Sequence, residues 1–156
     1  MKPSVSVLAV LLGLVFLCGP AWANDKDSVE RRPKSPSYEL GRKAVEAKDF
    51  KSSLPHLTKA AQETPDDADV HNLLGYSYRK VDQLDKALEH YRLALKLDSN
   101  HRGAHEYLGE LYLETDRPAE AEKQLQALSK ACPWFGRCEE REDLKAAIEK
   151  YKAAKK

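Results

Sequence analysis

Small and apolar residues recur along this chain at a fixed offset of 34 positions. Leu40-Gly41, Leu74-Gly75 and Leu108-Gly109 set the register. The same offset relates Ser53, Ala87 and Ala121, then Leu57, Tyr91 and Leu125, then Ala60, Ala94 and Leu128, and finally Pro65, Ser99 and Pro133. A period of this length marks a tandem array of supersecondary units. Glycine three times at one register points to close packing: it costs about 1 kcal/mol against alanine inside a helix, and tight backbone approach offsets that cost. Gly41, Gly75 and Gly109 are therefore expected to face Ser53, Ala87 and Ala121 on a neighbouring helix. Past the array, Leu144, Ala147, Ile148 and Tyr151 repeat at spacings of three and four, which predicts one more helix over 138–154. Its apolar side would cover the last exposed face of a stack, and its basic end suits the negative pole of the helix dipole.

The pattern of Leu-Gly, then Tyr78 and Tyr112, a small residue, a large apolar residue, alanine and proline resembles the tetratricopeptide repeat. That resemblance implies an all-α fold, a right-handed α-solenoid of three antiparallel helix pairs plus a C-terminal capping helix. The repeats would span 34–67, 68–101 and 102–135, with the cap and a basic tail at 136–156.

Helices are expected at 35–48 and 50–62, 68–80 and 83–97, and 101–114 and 117–130. Asp66, Asp82 and Asp116 read as N-caps, and Pro36 and Pro118 suit a first helical turn. Pro55 lies several positions into its helix and removes a backbone hydrogen bond, so that helix should start late, near Ser52, or bend.

The N-terminal pattern is different. Lys2 is the only charge among the first 23 residues, an apolar run extends from Val5 to Cys18, and Ala21-Trp22-Ala23 supplies the small residues of a signal-peptidase site. Cleavage after Ala23 is expected, leaving a polar, flexible leader at 24–33 and an exported mature chain. The run is shorter than the roughly 20 residues of a membrane span, so no span is expected. Leu17 is too large for a lipoprotein cut before Cys18. The short basic region and the lack of an Asn-x-Ser/Thr acceptor favour the bacterial periplasm.

Charge narrows the partners. The chain carries 26 basic and 25 acidic residues, and loss of Lys2 with the signal leaves a formally neutral protein. That balance gives no footprint for nucleic acid. Without Cys18, Cys132 and Cys138 are the two remaining cysteines, and in an exported protein the default is a disulfide with Gly136 easing the reversal between them. The alternative is a thiol-redox or metal carrier centred on this pair and nearby histidines. Five residues separate the cysteines rather than the two of a redox dithiol, and His101 and His105, one turn apart, lack a clear third metal ligand. His71 and His105 share a register and should pack between helices, whereas His56 and His90 should lie on the surface. There is no nucleophile elbow, zinc-protease motif or phosphate loop. The chain reads as a non-enzyme with no cofactor and no resident metal.

What remains is a binding face. The resemblance implies that the first helix of each pair lines a concave groove, and by register this places Tyr38, Arg42, Val45 and Glu46, then Asn72, Tyr76, Arg79 and Lys80, then Glu106, Glu110, Leu113 and Glu114 along it. Tyr76 with its basic neighbours is the expected contact centre, because aromatic and arginine side chains dominate interface energies. The expected function is a periplasmic adaptor or assembly scaffold that holds a protein segment. Self-association through an uncovered end is the further partner reading.

Overall fold

The computed structural model describes residues 34–132 and 135–155. The expected signal peptide, its cut after Ala23, the leader and Cys18 fall outside the described residues. Seven helices make up the described chain: α1 (Pro36–Glu46), α2 (Phe50–Glu63), α3 (Ala68–Lys80), α4 (Leu84–Leu97), α5 (Arg102–Glu114), α6 (Pro118–Ala131) and α7 (Glu139–Ala154). No strand occurs among the described residues. Consecutive helices pack as pairs, each pair stacks on the next, and α7 closes the array, giving an α-solenoid of helix pairs with a C-terminal helix.

The turn inside each pair keeps the 34-residue register more strictly than its residue types do. Lys48, Asp82 and Asp116 all take left-handed backbone, with φ of 60°, 61° and 59°. Asp82 and Asp116 are therefore turn residues, not N-caps. Aspartate tolerates this conformation because its short side chain can bond locally. The residue after each is the true cap: Asp49 accepts from the Ser52 amide, while Gln83 and Arg117 make no side-chain cap. Before α3 the cap is Asp67 rather than Asp66, and it accepts from the Asp69 amide. His101 caps α5 by accepting the Ala104 amide on Nδ1.

Pro55 neither delays α2, which begins at Phe50, nor ends it. Lys51, whose carbonyl loses its helical partner, is exposed, as is Pro55. Water can satisfy that oxygen, which limits the cost of the missing bond.

The glycines do mark close approach, though the atoms met are larger than the expected small residues. A Cβ on Gly41 would stand 2.6 Å from the Leu57 side chain, one on Gly75 2.6 Å from the Tyr91 ring, and one on Gly109 2.6 Å from Leu144 of α7. Ser53, Ala87 and Ala121 are nonetheless fully buried. The Ser53 hydroxyl donates to the Phe50 carbonyl at 2.8 Å, and the Ser77 hydroxyl lies 2.7 Å away, tying α2 to α3.

Tyr38, Leu57, Ala60, Val70 and Leu74 form one apolar cluster. A second gathers Ala87, Tyr91, Leu108, Leu111, Ala121 and Leu128 with Leu144 and Ile148 of α7. Burying two such aliphatic side chains contributes about 1.5–3 kcal/mol each, enough to hold α7 in place. Arg102 meets Glu140 at one end of α7, and Asp116 meets Tyr151 and Lys155 at the other. The helix thus runs parallel to α5, as the first helix of a further repeat would.

Candidate functional site

The face built by α1, α3 and α5 divides into three regions. At its first-repeat end, Lys34 Nζ bonds Asp67 at 2.6 and 2.8 Å and Asp69 at 2.7 Å, and lies 4.9 Å from the Tyr38 ring centre. Asp69 also meets His101 Nε2 at 3.0 Å. Its carboxyl is held well below the usual range, chiefly by the His101 hydrogen bond and also by Lys34, despite partial burial. One polar chain thereby links the starts of all three repeats. Tyr38 is buried beneath it, and Arg42 is engaged on its own helix by Glu39 at 2.8 Å and by Glu46.

The middle is aromatic. Phe50 meets Tyr76 edge-on at 5.6 Å between ring centres, Tyr76 meets Tyr107 at 4.8 Å, and Tyr107 meets Tyr91 at 6.3 Å. Lys80 is exposed, with its ammonium 5.2 Å from the centre of the half-buried Tyr76 ring. Arg79 behaves differently from its expected role as a free contact. It is 8% exposed, bonds Glu110 at 2.6 Å and the Tyr107 carbonyl at 3.2 Å, and lies 3.3 Å from Glu114. The sequence held the signal for this: Glu110 and Glu114 flank the position one repeat beyond Arg79.

At the third-repeat end, Asn72 and Glu106 occupy one register on α3 and α5 and are also nearly closed off, at 8% and 9% exposure. Burial, with Glu110, Asp143 and Glu140 nearby, pushes the Glu106 carboxyl up to about 8 against the opposing effect of Arg79. Glu110 and Leu113 are half-buried, Leu113 against the core. Asp143 and Glu140 come from α7, so the cap shapes this end of the face, which the repeat register alone did not show.

The histidines divide by role. His71 Nε2 donates to the Pro65 carbonyl at 2.9 Å, and His105 Nε2 to the Ser99 carbonyl at 3.0 Å, one repeat later. In neutral His71 the Nδ1 is then an acceptor, so the contact at 3.2 Å is donated by His90 Nδ1. His90 is not a plain surface residue: it stacks between His71 and Tyr78, with ring centres 5.5 and 5.4 Å away. Burial first, and His71 second, lower its pKa, with Glu89 opposing. The unfolded chain therefore binds the proton first as pH falls below about 6.5, and stability declines there. His90→Gln, which places in the second repeat the carboxamide that Gln124 offers His105 at 2.8 Å, should flatten this loss; melting temperature followed between pH 7.5 and 5 checks it.

Among the described residues no group of three or more His, Cys, Asp or Glu is arranged to hold a metal. No described helix is long and apolar enough to cross a membrane. Cys132 and Cys138 are brought together as the sequence suggested, with Cα atoms 5.9 Å apart and both side chains buried.

Comparison with known proteins bears on the same architecture. Residues 68–101, the second helix pair, match the tetratricopeptide repeat. The comparisons support the tetratricopeptide-repeat family. Over 131 residues, 76% of this chain, the sequence is 30% identical to "Protein CTR9 homolog" of Arabidopsis thaliana, of which the chain spans 12%. Among solved structures, the MamA fragment (41-end) from Desulfovibrio magneticus RS-1 is similar at a TM-score of 0.59 and 28% identity, over 61% of this chain and 54% of that one. The first tetratricopeptide domain of Spaghetti (RPAP3), bound to an HSP90 peptide, is similar at a TM-score of 0.65 and 16% identity, over 76% of this chain and 89% of that one. At that identity the likeness concerns the fold alone.

Proposed function

We propose that this tetratricopeptide-type chain is a non-catalytic protein-interaction module, an adaptor or assembly scaffold, which holds a protein segment along the face of α1, α3 and α5. The observation that carries this reading is the aromatic run Phe50–Tyr76–Tyr107, topped by the exposed Lys80. Half-buried rings supply rigid contact area at low entropic cost, and a neighbouring cation adds orientation. That a similar fold has been solved with a bound peptide supports the reading by analogy.

The setting we propose is the bacterial periplasm, reached by cleavage after Ala23, with a Cys132–Cys138 disulfide fastening α7. N-terminal sequencing of mature protein recovered from the periplasm should begin at Asn24.

Because Arg79 is committed internally, the variant that tests the face is Tyr76→Ala with Lys80→Glu. A photocrosslinker at position 76, activated in intact cells, should capture a distinct protein, and Lys80→Glu in that background should reduce the yield at least several-fold. Capture of nothing except the chain itself would overturn the adaptor reading in favour of self-assembly.

A further inference from the structure

The two ends of the helix stack are finished differently. In its interior, one stripe of each first helix is closed off by the pair before it. Val70 and Leu74 of α3 cluster with Leu57 and Ala60 of α2, and Ser77 on the same stripe is fully buried. The same registers on α5 hold Ala104, Leu108 and Leu111, none more than 2% exposed. On α1 they hold Pro36, Leu40 and Lys43, all exposed, with Leu40 at 51%. A terminal repeat of a solenoid normally turns a polar face outward. Leucine and proline here are the residues of an interior repeat, yet no helix precedes α1 among the described residues.

The other end carries a groove. Gly41 and Gly75 are faced by Leu57 and Tyr91 from the second helix of their own pairs, and register gives Leu125 of α6 the same place opposite Gly109. Leu144 of α7 stands there instead. Leu125 is left half-buried on the wall of a groove between α6 and α7, where two hollows of about 500 and 300 Å³ share Leu125, Lys145 and Glu149. Ala146 and Ile148 complete the apolar lining. Each of α2, α4 and α6 packs along the first helix of its pair, whereas among the described residues no helix follows α7. The groove is a seat for one helix.

We propose that this seat takes α1 of a second copy of the chain, so that copies join head to tail. Leu40 protrudes from its helix and needs a hollow, which the wall of Leu125, Ala146 and Ile148 supplies. Charge agrees with this pairing. Lys43, one turn past Leu40, is matched by Glu149, whose side chain is 67% exposed and only 3.9 Å from its neighbour Lys145. The two faces are different patches, so the contact is heterologous and each copy keeps one free end. Little more than one helix is seated, which makes the association weak and dependent on concentration. Leu40 lies two residues from both Tyr38 and Arg42, on the other side of α1, so this seam is separate from the face that carries Tyr76 and Tyr107.

Sedimentation equilibrium of the full mature chain from about 10 μM to 1 mM tests the proposal, and the average mass should rise to that of a dimer and beyond. Leu40→Glu spoils the α1 face alone and Ala146→Glu the groove alone. Both positions are exposed, and an unchanged melting temperature verifies the fold of each variant. Each should stay monomeric by itself. Mixed in equal amounts they should form a one-to-one complex that grows no further, because one supplies an intact groove and the other an intact α1. Lys43→Glu should weaken association several-fold, and adding Glu149→Lys to the same chain should recover most of it; no recovery would overturn the pairing of these faces. A parent chain that stays monomeric throughout, or a mixture that does, overturns it as well. So does association of Ala146→Glu alone, which would mean α1 against α1, or of Leu40→Glu alone, which would mean groove against groove. Tyr76→Ala with Lys80→Glu should associate as the parent does, and loss of association there would move the contact to the aromatic face. Capture at position 76 should survive Leu40→Glu, so failure of this seam and failure of the adaptor reading are seen separately.

Discussion

Gly75→Ala lowers the stability of the domain by about 3 kcal/mol, the upper part of the usual range for overpacking. The added methyl would stand 2.6 and 2.7 Å from two carbons of the Tyr91 ring. Tyr91 is fully buried, with neighbours on every side, so it has nowhere to move. Burial also raises its phenol pKa and leaves the hydroxyl without a hydrogen bond, so a shift of the ring would disturb a site already short of partners. Alanine is the better helix former by about 1 kcal/mol, and the expected loss is net of that gain. Gly103→Ala supplies the internal control. Its methyl would crowd only the end of the Asn72 side chain, at 3.3 Å, and would meet the His101 ring at an ordinary contact of 3.6 Å, so the change should be close to neutral. Urea unfolding of both variants at unchanged m-value separates the two outcomes; equal stability of Gly75→Ala and the parent chain would refute the packing account.

Arg79→Met costs about 2–3 kcal/mol, less than the loss of a fully buried ion-pair partner because water reaches the carboxylates left behind. The Arg79 side chain is 5% exposed, against 27% for Glu110 and 46% for Glu114. Methionine fills the space of the aliphatic stem but gives the Tyr107 carbonyl no donor. Adding Glu110→Gln to Arg79→Met should restore part of the loss, since the stranded charge is removed with its partner. A double-mutant cycle by thermal or urea unfolding measures this coupling, and strict additivity would mean that the 2.6 Å contact contributes nothing to folding. Lys80→Met, one residue along and exposed, should change stability by less than about 0.5 kcal/mol while altering capture at the face.

The repeat architecture was legible because packing imposes it on residue size. Leu40-Gly41, Leu74-Gly75 and Leu108-Gly109 mark the register directly, and helices α3 and α7 lie within one residue of their expected bounds. The caps were less legible. Aspartate serves both as an N-cap and as a left-handed turn residue, so Asp82 and Asp116 carried two readings at once, and Lys48 at the equivalent position gave no hint of φ near 60°. His90 was misplaced for another reason: its partners, His71 and Tyr78, stand on the preceding helix, where only the packed pair brings them alongside.

The expected contact face shows the same division. Its residues were assigned by register, but register gives direction and says nothing of depth. Tyr76 and Lys80 remain accessible, whereas Asn72, Arg79 and Glu106 are nearly buried, because α5 closes over Arg79 and α7 brings Glu140 and Asp143 to the end of the face.

The sequence by itself determined the period, the helical character and the positions that must be small, since each follows from local spacing and from volumes that repeat. Tertiary structure alone decided which charges are neutralised within the protein and which are left unpaired. That outcome depends on side chains from different repeats and from the cap meeting in space, and on the removal of water that makes an unpaired acceptor such as Asn72 Oδ1 costly.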